Sequence, residues 1–117
     1  MKEHALAVFR RPPERLNCAQ AVLHAYREVS GNKTIPLAGL KPFGGGRAPG
    51  GLCGALHAAC IIAPDKTEAL RTQFAQRLGS TVCEELREAR QYACESCVAQ
   101  AAELLEIEAG GLRKQIE

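Results

Sequence analysis

No stretch of this chain alternates β-branched or aromatic residues with polar ones over five or more positions, and without that period of two a strand has no face to bury. The apolar residues recur instead at helical spacing, and alanine is abundant. The spacing therefore predicts an all-α fold, a small compact bundle of about five short helices with a Gly-rich loop. At 117 residues the chain makes one domain, residues 1–117. Folding at this size removes roughly 65% of the unfolded chain's surface from water, enough for a core without disulfide or metal staples. The six cysteines therefore need another reason.

The first helix is expected over about Lys2 to Arg10, stopped by Pro12-Pro13, because proline lacks an N–H and disfavours helix in the residue before it. Asn17 reads as an N-cap. Behind it Cys18, Ala21, Val22, Ala25 and Val29 form one apolar stripe of a helix ending near Ser30-Gly31. Leu37 to Leu40 make a short turn before Pro42. The stretch Gly44-Gly45-Gly46-Arg47-Ala48-Pro49-Gly50-Gly51 has five glycines in eight residues. A helix then runs from about Leu52 to Ala63 and ends at Pro64. Asp65 is placed to cap the next, in which Leu70, Phe74 and Leu78 recur at i, i+4 and i+8 and Gly79 closes the helix. Ser80 or Thr81 caps a helix carrying Val82, Cys83, Leu86 and Ala89. The last, about Tyr92 to Ala109, presents Cys94, Cys97, Val98, Ala101, Leu104 and Leu105 on one side.

Charge and hydropathy exclude several classes of function. Fifteen Lys/Arg against thirteen Asp/Glu leave a net +2 with no basic stripe, so no nucleic-acid partner is expected. The segment before Arg10 holds only five consecutive apolar residues, too few for a signal-peptide core. The apolar run Leu52 to Ala63 is twelve residues long, whereas a spanning helix needs about 20. The reading is a cytoplasmic protein with no membrane partner. In a reducing compartment cysteines serve as ligands or redox groups more often than as bridges.

Three thiols fall in predicted first turns: Cys18 after the Asn17 cap, Cys53 after the Gly-rich loop and Cys83 after Thr81. A first turn has unpartnered N–H groups and the positive end of the helix dipole, which favour the thiolate, the form that attacks disulfides, gives up electrons or binds metal. Because Cys18 and Cys83 lie on apolar stripes, they should point inward, where thiols of different helices can meet. Gly44, Gly45 and Gly46 would let the backbone approach a bound group, and Arg47 would supply a cation to a thiolate, a cluster or an anionic substrate. The loop lacks the Lys-Ser/Thr ending of a phosphate loop and the G-x-G-x-x-G spacing, so no nucleotide is expected. A flexible connector is its plainer reading.

Cys53, His57 and Cys60 lie at i, i+4 and i+7 along one helix face, the spacing of three ligands for zinc or iron. Cysteine is equally a common small core residue, and a histidine on such a face is usually satisfied by a hydrogen bond. Cys94-Glu95-Ser96-Cys97 is a C-x-x-C without the preceding strand of a thioredoxin-like motif. It is followed by Val98 rather than histidine, so no haem is expected. His4 and His24 have no visible catalytic partner.

The pieces Asn17-Cys18-Ala19-Gln20-Ala21-Val22, Gly44-Gly45-Gly46, Cys53-Gly54-Ala55-Leu56, Cys83-Glu84-Glu85-Leu86 and Cys94 with Val98 and Ala101-Ala102 resemble the family of redox-active proteins named after their C_GCAxxG_C_C pattern, a domain also found in split-Soret cytochromes c. The resemblance covers Cys18 to Ala102 and implies a helical domain with a redox or cluster-binding role. Carried over by position, the functional cysteines are Cys18, Cys53, Cys83 and Cys94. Leu52 stands where the pattern has glycine, Gly54 where it has alanine and His57 where it has its later glycine. Cys60 and Cys97 are additional, and Cys97 competes with Cys94 for the fourth role. A histidine at the later glycine would crowd a close helix contact.

Three readings stay open. In the first, Cys18, Cys53, Cys83 and Cys94 or Cys97 surround one site and hold an iron–sulfur cluster or a single metal ion for electron transfer with a redox partner protein. In the second, two of these thiols cycle between dithiol and disulfide as an oxidoreductase. In the third, the cysteines fill the core of a non-catalytic helical interaction module. Whether the protein is an enzyme is undecided at this point, and a homodimer is one option for its assembly.

Overall fold

The computed structural model describes residues 1–12, 15–44, 47–88 and 94–108, without the side chains at positions 87, 88 and 94. The described residues form the all-α architecture that the periodicity implies. They contain α1 (Lys2–Val8), α2 (Cys18–Ser30), α3 (Gly54–Ile62), α4 (Thr67–Leu78), α5 (Cys83–Glu88) and α6 (Cys94–Glu108), with short 3-10 turns at Leu37–Phe43, Pro49–Gly51 and Pro64–Lys66. Extended pairing among them is limited to two isolated bridges, Phe9 with Leu16 and Leu52 with Val82. No helix among these residues is long and apolar enough to cross a membrane.

The helix α3 lies at the centre and packs against α2, α4 and α6. Its Gly54, Ala55, Leu56, Ala58 and Ala59 are all buried. Small side chains at most of these positions allow neighbouring backbones to come close, because interaxial distance follows the side chains at the contact. Leu56 is the large member of the set, and it is buried with Leu23 of α2, Leu70 and Phe74 of α4 and Leu104 and Leu105 of α6. Ridges of leucine thus close on a spine of alanine.

Caps fix where the helices begin. Asn17 accepts from the Gln20 N–H at 2.8 Å, and Gln20 accepts in return from the Asn17 N–H at 3.1 Å, the reciprocal capping box. The same two side chains donate outward, Asn17 Nδ2 to the Lys41 carbonyl at 2.9 Å and Gln20 Nε2 to the Leu37 carbonyl at 3.1 Å. One cap therefore starts α2 and pins the 3-10 turn across it.

Several boundaries differ from expectation for local reasons. The first helix stops at Val8, because Phe9 turns extended and Arg10 adopts a left-handed backbone while donating its N–H to Leu16 O. The Leu37–Phe43 turn passes through Pro42, which a 3-10 turn tolerates here. Asp65 caps nothing; the Pro64–Lys66 turn precedes α4, and the Thr67 hydroxyl donates to Pro64 O at 2.8 Å. Gly79 closes α4, its N–H reaching Ala75 O, and Ser80 Oγ accepts from the Val82 N–H ahead of α5. Ala89, Tyr92 and Ala109, expected in the last two helices, lie outside the described residues.

The largest correction concerns α3, which begins at Gly54 rather than Leu52. Gly50 and Gly51 both have positive φ, 71° and 73°, a conformation that costs glycine nothing and other residues about 1 kcal/mol or more. The turn they make delivers Leu52 extended against Val82, with the Cys53 N–H donating to Thr81 O at 2.8 Å. The helix can start only after that pairing ends.

Since α3 is the spine, truncating its one large fully buried side chain should be felt by every helix packed on it. Leu56→Ala is expected to lower stability by about 2–5 kcal/mol, read as a shift of the urea midpoint with an unchanged slope.

Candidate functional site

The N-terminal end of α3 is where the cysteines gather. Cys53 is the N-cap residue of that helix, not a first-turn residue, and only 4% of its surface is exposed. Its thiol has the thiol of Cys97 as hydrogen-bond partner. Cys97 lies one turn into α6 and is 6% exposed. Of the C-x-x-C, Cys97 meets Cys53. The side chain of Cys94 lies outside the described residues.

A third sulfur stands close by. A Cβ built on Gly54 would collide with the Phe43 carbonyl oxygen and lie 2.7 Å from Cys18 Sγ, so the missing side chain at position 54 is the room in which the half-buried Cys18 thiol sits. The capping box places that thiol, because Cys18 is the first residue of α2 and its cap is bound to the turn that ends in Phe43. Cys83 opens α5, next to the Val82 that pairs with Leu52, and is half-buried. Of the three expected first-turn positions, Cys18 and Cys83 are found at theirs, and their backbones flank the one that carries Cys53.

The electrostatics at Cys53 run against the sequence expectation. The N–H groups of Ala55 and Leu56 at the start of α3 do favour its thiolate. The contact with Cys97 and burial outweigh them, and the Cys53 thiol is held well above its ordinary value of 9.0. A second thiol beside it and the loss of water both penalise negative charge. The helix end softens this penalty without reversing it.

The proposed ligand row Cys53, His57 and Cys60 does not assemble. The His57 ring packs edge-on against Phe43, centroids 4.7 Å apart, and burial pushes its pKa down. It faces the 3-10 turn instead of crowding a helix contact. At the far end of α3, Cys60 pairs with the Thr67 hydroxyl; burial raises its pKa, and Thr67 and the Arg71 charge pull the other way. Among the described residues no group of three or more His, Cys, Asp or Glu side chains is arranged to hold a metal ion.

The Gly-rich loop has a packing role at its start. Gly44 is buried, and a Cβ there would stand 2.9 Å from both Asn17 Cβ and Asn17 Nδ2. Arg47 donates its Nε to the Gly44 carbonyl at 3.0 Å and so folds back onto its own loop. Gly45 and Gly46 lie outside the described residues. Phe43 and Gly54 were invisible as site residues in the sequence, since only tertiary packing gives them their roles. Cys97 had a signal, its place beside Val98 and Ala101 on the apolar side of the last helix.

Two measurements test this geometry. Gly54→Ala should cost about 1–3 kcal/mol of stability by overpacking, although alanine is the better helix former; thermal unfolding would show it as a lowered midpoint. In reduced protein, alkylation by iodoacetamide near pH 8 should modify Cys53 more slowly than the half-buried Cys18 and Cys83, and its rate should keep rising with pH beyond 9.0, where that of an ordinary thiol levels off, as read by peptide mapping.

The family model described as "Putative redox-active protein (C_GCAxxG_C_C)" matches residues 16–107. No match to a curated protein or to a solved structure was found.

Proposed function

Because the chain belongs to the C_GCAxxG_C_C family of redox-active proteins, we propose that its redox centre is the thiol pair Cys53 and Cys97, cycling between dithiol and disulfide. The observation that carries the reading is the direct contact of these two thiols across α3 and α6, in a site nearly closed to solvent. Oxidation joins the two sulfurs and releases two electrons and two protons; a disulfide on a redox partner protein takes them up and becomes a dithiol. Burial limits the water around the pair, and the Leu56 and Ala55 N–H groups stabilise the thiolate that forms transiently when one proton leaves.

A second reading keeps the four-thiolate centre, an iron–sulfur cluster or single metal ion on Cys18, Cys53, Cys83 and Cys94 or Cys97. It is favoured by the approach of Cys18, Cys53 and Cys97 to one helix end. Thiolates are suitable donors for either group, but the described side chains are not gathered around one point as a metal ion requires. The dithiol reading needs no such rearrangement.

Protein purified without air should be colourless, and mild oxidation should remove two of its six thiols and yield a Cys53–Cys97 peptide on non-reducing mapping. Iron with acid-labile sulfide in the anaerobic sample, or six free thiols after oxidation, would overturn the proposal.

A further inference from the structure

The buried pair poses a problem of access. At 4% and 6% exposure neither sulfur of a Cys53–Cys97 disulfide presents a face to which an external thiolate can align, and exchange needs attack along the S–S axis. Cys18 differs on two counts. Its thiol is half-buried rather than buried, and its Sγ occupies the gap above Gly54, the residue that follows Cys53. Cys83 is equally half-buried, and the Cys97→Ser test below separates it from Cys18. Cys60 sits seven residues further along α3, roughly 10 Å away by helical rise, with Thr67 as its partner.

We infer that Cys18 is the relay thiol of this centre, carrying reducing equivalents from an external dithiol to the disulfide of Cys53 and Cys97. The inference rests on the dithiol reading given above. In the inward step the Cys18 thiolate attacks Cys53 Sγ, the Cys53–Cys97 bond breaks, and Cys97 leaves as a thiolate and takes a proton. In the outward step one thiolate of the external dithiol attacks Cys18 Sγ, and Cys53 leaves with its electron pair and is protonated. The second thiol of the donor then displaces Cys18 from the mixed disulfide. The protein ends with three thiols and the donor as a disulfide, so two electrons and two protons have moved inward. The inward step needs only Cys18, Cys53 and Cys97 in line, and the outward step only Cys18 and Cys53 with the donor, so no step calls for a fourth thiolate of the protein.

The lack of a Cβ at Gly54 is what makes the first step feasible. With a methyl group there, Cys18 Sγ could not keep its present place, and the attacking sulfur would be displaced from the end of α3 that carries its target. The capping box of Asn17 and Gln20 holds the other side of the approach by fixing the first turn of α2.

The test follows reduction of the oxidised full-length chain by dithiothreitol, quenched with acid and mapped for the Cys53–Cys97 peptide. Cys18→Ser is expected to slow its reduction on the order of tenfold or more, while Cys60→Ser keeps the wild-type rate. Independently, Cys97→Ser should accumulate a Cys18–Cys53 disulfide on mild oxidation, which needs no kinetic comparison and guards against a folding defect in Cys18→Ser. If the Cys53–Cys97 disulfide forms in wild type but is reduced equally fast in Cys18→Ser, or Cys97→Ser joins Cys53 to Cys83 instead, the relay is overturned and the dithiol reading stands. If wild type forms no Cys53–Cys97 disulfide, both fall.

Discussion

The site depends on a contact in which one partner contributes nothing but space. At Gly54 the backbone of α3 is bare, and the Phe43 carbonyl and the Cys18 sulfur both come down onto it. Two segments distant in sequence are thereby brought to the same helix end. The hydrogen bonds of the capping box then hold them in register, since the residues that start α2 also bind Leu37 and Lys41. Remove the vacancy at position 54, and the thiol of Cys18, the turn before the Gly-rich loop and the start of α3 compete for one volume.

Around that contact the chemistry is divided between helix polarity on one side and the Cys97 contact with burial on the other, and the second side wins. A sulfur at the start of a helix receives N–H groups from the backbone, as Cys53 does from Ala55 and Leu56. The same sulfur is also shut away from water beside a second thiol. The result is a Cys53 thiol kept protonated and sheltered beside Cys97, unlike the exposed acidic thiol of a simple nucleophile.

Much of this architecture was legible because it follows from period and punctuation. The stripe from Cys18 to Val29, the cap at Asn17, the buried Leu70, Phe74 and Leu78 and the stop at Gly79 all rest on local rules, and local rules read directly from sequence. What was not legible is tertiary. The extended pairing of Leu52 with Val82 displaces the start of α3 by two residues, and no window around Leu52 contains Val82. In sequence the fourth thiol of the site stays open between Cys94 and Cys97, because C-x-x-C spacing places both near one helix start, and the contact of Cys97 with Cys53 is made by tertiary packing that the spacing does not contain. The sign of the Cys53 shift was misread for a related reason: the dipole is a property of its own helix, whereas burial and Cys97 come from α6.

The alanine spine has a consequence for how this protein can vary. Ala55, Ala58 and Ala59 are fully enclosed, and α2, α4 and α6 all lean on the helix that bears them. Any enlargement there would wedge apart several elements together, and any reduction leads only to glycine, which weakens the helix. Divergence among descendants of this sequence is therefore channelled outward, to the rim thiols and the loops, while the scaffold beneath the sulfur pair stays frozen.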